Sequence, residues 1–161
     1  MNPLDLRWLG AVVLSLIAAF TLATVPLPEA VNHWRPAWIA LTVLYWAIAL
    51  PERMGVLSAW FIGILADVMH GALLGQHALG FALIAYLGLI YHQRIRVYPM
   101  VQQALVVGSI IFLHQLWMLM IYNTLGSRHY PNTYLLGTLT SALLWPWLFV
   151  VLRDLRRRAT A

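Results

Sequence analysis

From Trp8 to Val25 the chain carries no charged side chain, and apolar runs of that length constrain this fold more than any other feature. A helix needs about 20 mostly apolar residues, with a range of roughly 17–25, to cross the hydrocarbon core of a bilayer. Further runs follow at approximately 34–50, 55–71, 78–91, 101–125 and 133–152. Pro26 and Pro28 close the first run, and Pro51 closes the second. Pro36 opens the second, where the missing N–H would be unpaired in a first helical turn anyway. Gly71, Gly75 and Gly80 interrupt one long apolar stretch between the third and fourth runs. Two short spans joined by a tight turn fit that stretch, and so does a span followed by a re-entrant piece.

Composition supports lipid as the solvent. Of 161 residues, 62% are hydrophobic and 9% are charged, where a soluble domain carries about 25% charged residues. A small soluble fold leaves too much surface exposed to hide that apolar content. The absence of cysteine excludes a disulfide framework, a thiolate metal site and cysteine catalysis. All ten basic residues are Arg, and their placement chooses the topology. Six spans with the N-terminus inside put Arg7, Arg53, Arg94, Arg96, Arg153, Arg156, Arg157 and Arg158 on one face. Only Arg35 and Arg128 fall on the other, a strong positive-inside asymmetry. Merging the third and fourth runs would scatter them. The chain is therefore expected to be all-α, a single integral-membrane domain over 1–161 with six transmembrane helices and both termini cytoplasmic. Its net charge of +5 is an orientation signal, and no basic stripe is present to hold nucleic acid. The first run exceeds the usual 7–15 residues of a signal peptide's apolar region, and Asp5 stands beside Arg7, so it is taken as a span. Trp8, Trp34 and Trp38 sit at span ends, where interfacial anchors belong.

One carboxylate stands apart. Gly63, Asp67, Gly71 and Gly75 recur every fourth residue as a slanting stripe on the third span, and Asp67 is the charge this topology buries. Small residues let helices approach closely, and an intramembrane carboxylate demands a partner. Counted from the cytoplasmic ends, Asp67 and His114 lie roughly 18–20 Å deep at about 1.5 Å per residue, so an Asp67–His114 hydrogen bond is the expected pin between helices. His33, His70, His77 and His129 are assigned to outward loops as interfacial residues, without the spacing of a metal site. No G-x-S-x-G, H-E-x-x-H or P-loop motif occurs, so no catalytic or metal residue and no cofactor is assigned.

Ala11, Ser15, Ala19 and Ala23 form a second small-residue stripe, facing either a sister helix or another protein. Pro146 within Trp145-Pro146-Trp147 is expected to kink the last span near Ala142. Arg153, Arg156, Arg157 and Arg158 form a basic tail suited to anionic lipid, at about 1 kcal/mol each. An acidic cytoplasmic partner is the alternative occupant.

The ordered blocks carry a resemblance. Arg35-Pro36-Ala37-Trp38 leads into Leu44-Tyr45-Trp46 and Ala49-Leu50-Pro51, followed by Gly63 with Asp67. Gly71, Leu74-Gly75, Ala78-Leu79, Ala85-Tyr86-Leu87, Gln102 to Val107 and Leu144-Trp145-Pro146-Trp147 complete the series. In this order the chain resembles the bacterial rod shape-determining family MreD, most of all its proteobacterial branch. The resemblance implies a non-enzymatic inner-membrane component of the cell-elongation machinery. It also implies a direct partner, MreC, and a link between MreB filaments, RodA and a class B penicillin-binding protein. The implied fold is similar to the substrate-binding subunits of energy-coupling-factor transporters. That supplies a second function, a small-molecule subunit of a vitamin transporter with Asp67, His70 and His77 at an outward pocket. For an inner-face partner, Arg53, Arg94 and Arg96 are the candidates, because short loops hold charges in place.

Overall fold

A computed structural model of the chain describes residues 3–125 and 131–160. Arg128 and His129, assigned above to an outward loop, lie outside the described residues. The described chain is helical: α1 (Pro3–Thr24), α2 (Glu29–Asn32), α3 (Trp38–Ala49), α4 (Val56–His70), α5 (Gln76–Val97), α6 (Met100–Leu125) and α7 (Leu136–Thr160). A single 3-10 turn, Asn132–Leu135, leads into α7.

The helices fall on the apolar runs, but one helix was not expected and several ends differ: α1 begins five residues before Trp8, and α7 runs eight past Leu152. α5 reaches six residues past the predicted end at Tyr91, because Ile95 is fully buried in the core and Arg96 has a role at the end of α3 described below. The short α2 was not foreseen; it fills the bend between Pro28 and His33. Four helices, α1, α5, α6 and α7, are long and apolar enough to cross a membrane. α3 and α4 have 12 and 15 residues, about 18 and 22 Å at 1.5 Å per residue, short of a hydrocarbon core of about 30 Å.

α3 explains how a short helix is accommodated. Every residue from Ile39 to Ile48 is buried, and α3 packs against α1, α5 and α7. A helix apolar all round belongs inside a bundle. Its neighbours bring the polar groups that membrane burial requires. Ser141 of α7 accepts the Ala37 N–H at 3.0 Å, just before α3 begins. The Trp46 indole N–H donates to the Ser15 hydroxyl at 2.8 Å, and Trp145 donates to the Gln103 side-chain carbonyl at 3.0 Å. The two most deeply buried tryptophans are thus packing residues with satisfied N–H groups.

Candidate functional site

The α4–α5 turn is organised around Asp67, and it uses that residue twice. At its end α4 closes in a left-handed cap: Gly71 has φ of 60°, the Ala72 N–H reaches the Asp67 carbonyl at 2.9 Å, and the Gly71 N–H faces the Val68 carbonyl. This is the Schellman arrangement, in which glycine takes the φ other residues resist. The Asp67 side chain then turns to the start of α5. Its Oδ2 accepts the N–H of Gly75 at 2.8 Å and, more loosely, of Ala78 at 3.4 Å. Its Oδ1 accepts the N–H of His77 at 2.7 Å and the His77 ring Nδ1–H at 2.8 Å.

First-turn N–H groups have no intrahelical partner, and the positive end of the helix dipole favours a carboxylate there. α5 has no capping side chain of its own, since its cap position is Gly75 at φ of 102°. Asp67 caps it from the preceding helix. The close approach that permits this rests on Gly63: a Cβ there would stand 2.3 Å from the Ala78 Cα.

These contacts correct the expected Asp67–His114 bond. Asp67, fully buried, is satisfied within its own hairpin, while neither ring nitrogen of His114 has a hydrogen-bond partner. The similar depth of the two residues is reflected in a chain of rings. His77 meets Phe81 edge-on at 5.9 Å between centroids, and Phe81 stacks on His114 at 5.4 Å. His77 is likewise not an interfacial loop residue: it lies in the first turn of α5, 9% exposed, with its ring stacked on that of His70.

His33, His70, His77 and His114 all line one cavity of about 400 Å³. It sits where α1 and α4 end and α3 and α5 begin, with Trp38, Phe81 and Tyr134 among its walls. Among the described residues no group of three or more His, Asp or Glu side chains is placed to hold a metal ion.

The remaining candidates serve other parts of the bundle. Ala11, Ser15 and Ala19 are buried against the chain's own core, and α1 packs on α3 and α7, so the stripe on α1 faces sister helices. Ala23 lies at its end, and its carbonyl accepts a hydrogen bond from Arg35, as does that of Val25. Arg96 similarly donates from Nε to the Ile48 carbonyl at 2.9 Å and from Nη2 to Ala49 at 2.8 Å, and Arg156 adds a bond to Ala49 at 3.3 Å. The guanidinium of Arg53 lies 4.8 Å from the centre of the Trp8 ring, a cation–π distance, while Arg94 is exposed. Sequence reasoning missed these arginine caps. Helices that stop at proline, such as α1 and α3, were the available signal, because proline has no N–H to offer the last helical carbonyls.

The profile of the family described as rod shape-determining protein MreD matches residues 4–155. The chain belongs to the MreD family. A rod shape-determining protein MreD from Haemophilus influenzae is 29% identical over 153 residues, covering 95% of this chain and 94% of that protein. No solved structure matches. MreD membership gives the chain a role in rod-shape determination, and its apolar helices make it a multi-pass membrane protein.

Proposed function

We propose that this MreD-family chain is a non-enzymatic scaffold of the cell-elongation complex in the bacterial inner membrane. In this reading it crosses the bilayer six times, with both termini cytoplasmic and a helix arrangement akin to the substrate-binding subunits of energy-coupling-factor transporters. It binds MreC directly and helps couple MreB filaments to RodA and a class B penicillin-binding protein, with its Arg-rich C-terminus on anionic lipid. The observation that carries the reading is the family match over residues 4–155.

The use of polar groups supports it. Asp67, Arg35, Arg96, Arg156, Ser15 and Gln103 are spent on holding helix ends and buried indoles. Outward, α4 presents Leu57, Phe61, Leu65 and Val68, each more than half exposed, at spacings that place them along one side of the helix. A body whose polarity is internal and whose faces are apolar works through helix contacts in the bilayer.

Purification from native membranes in mild detergent tests the reading. MreC should accompany the wild-type chain in stoichiometric amount. A chain that instead arrives without MreC and joined to a cytoplasmic ATPase module is a transporter subunit, and the scaffold reading is then wrong.

A further inference from the structure

The histidine cavity is not used by the scaffold role, and its chemistry is specific. Its volume of about 400 Å³ lies within the usual range of small-molecule sites, roughly 300–1,000 Å³. Aromatic walls with a few convergent polar groups are the general description of such sites.

The protons on two of the imidazoles are fixed by their partners. His70 Nδ1 lies 2.8 Å from the Ala66 carbonyl and His77 Nδ1 lies 2.8 Å from the Asp67 carboxylate. Both partners are acceptors, so both Nδ1 atoms carry the hydrogen. In the neutral ring each Nε2 is then a bare lone pair, an acceptor for an O–H or N–H. The two rings stack with centroids 5.3 Å apart and planes 19° apart, so these groups form a pair.

His114 supplies the observation that points to an occupant. It is 4% exposed and lines the cavity, and neither of its ring nitrogens has a partner. Buried polar side chains are nearly always paired, and His114, more than nine-tenths buried in the cavity wall, has both nitrogens available to an occupant. Gly80 makes room for this ring, since an added Cβ would stand 3.0 Å from its Nε2.

The charge of the lining narrows the class. Among the described residues no carboxylate faces the cavity to neutralise a cation. Nη1 and Nη2 of Arg35 are already given to the carbonyls of Ala23 and Val25, which occupies the end-on fork that would grip an anion and leaves the buried, unpartnered Nε as a single donor. We propose that the cavity binds a small, neutral ring compound bearing O–H or N–H groups. These are received by Nε2 of His70 and His77 and by His114, with the ring held between Phe81 and Trp38. This site is independent of the scaffold reading and stands or falls separately from it.

Resorcinol is a suitable probe, with its dimethyl ether as the matched ring lacking O–H donors and benzoate as the anionic counterpart. The full chain in lipid nanodiscs, with nitrogen-15 in its histidines, is titrated with each. Resorcinol should bind saturably and move the ring signals of His70, His77 and His114, while the more lipophilic ether and benzoate leave them in place. H70F and H114F should each weaken resorcinol by about tenfold, the loss of one good hydrogen bond. Both variants remove ring nitrogens without touching the Asp67 cap, so thermal unfolding should be unchanged or shifted upward. Binding of the ether as tight as that of resorcinol, preference for benzoate, or full affinity in both variants would each overturn the proposal. So would a response that rises linearly without saturating, which is partition into lipid.

Discussion

Asp67 shows how a carboxylate becomes compatible with the interior of a membrane protein. Burial of a lone charge in a medium of low dielectric is costly, and truncation of its partners is costly too. Here three backbone N–H groups and one imidazole N–H converge on two oxygens, so the charge is matched by the groups that most need an acceptor. D67A would strand those donors, each unpaired buried group being worth about 1–3 kcal/mol. We expect a loss of about 2–4 kcal/mol in folding stability, and D67N, which keeps one acceptor oxygen, should lose about half of that. Thermal unfolding of the two variants in nanodiscs checks the order. A D67A protein that melts with the wild type would show that the cap is not needed. His114 provides the contrast at the same scale. It was legible in the sequence as a polar residue at the depth of Asp67, but depth along two helices says nothing of azimuth. The nearer partner, His77, stood ten residues from Asp67 across a glycine turn, a separation that only the turn's geometry could close.

At the scale of elements, the bundle is held at its ends as much as along its faces. α1 and α3 both stop before proline-bearing segments, and both have their last carbonyls covered by arginine from elsewhere in the chain. Arginine suits this position, since its several donors reach more than one carbonyl and cations favour helix C-termini. R96Q should therefore act on α3 before it acts on any partner. Hydrogen exchange of the amides at the end of α3, Trp46 to Leu50, should rise several-fold, while that of α6 stays as in the wild type. If exchange is unaltered and only association with an inner-face partner falls, Arg96 is a docking residue and the capping account fails. The apolar runs located these helices well because each run is bounded by Pro, Gly or Arg. Their ends were less legible. The predicted stop at Tyr91 followed the polar residues His92 to Arg94, yet the helix continues because Ile95 is buried and Arg96 is needed at α3. Side-chain destinations on another element leave no local trace in a sequence.

For the molecule as a whole, the open quantity is the number of crossings, and the fold frames it sharply. Four helices have the length to meet lipid directly, whereas α3 is sheathed by protein from Ile39 to Ile48. Irregular backbone at membrane depth is tolerated where protein covers it. The segments flanking α3 are served in that way: the Ala37 N–H by Ser141, and the carbonyls of Ile48 and Ala49 by arginines. A 12-residue helix with protected flanks can thus complete a crossing that its own length would not. Six crossings put the α3–α4 link inside the cell with Arg53, whereas four crossings, with α3 and α4 returning to the same side, put it outside. Glu52 in that link is exposed, as is Leu74 in the α4–α5 turn, and the chain has no cysteine to confuse the labelling. In intact spheroplasts a membrane-impermeant maleimide should label L74C and spare E52C until the membrane is opened. Labelling of E52C in sealed spheroplasts at the rate of L74C would reduce the crossings to four. It would also move Arg53 to the outer face, weakening the positive-inside asymmetry on which the six-span topology rests.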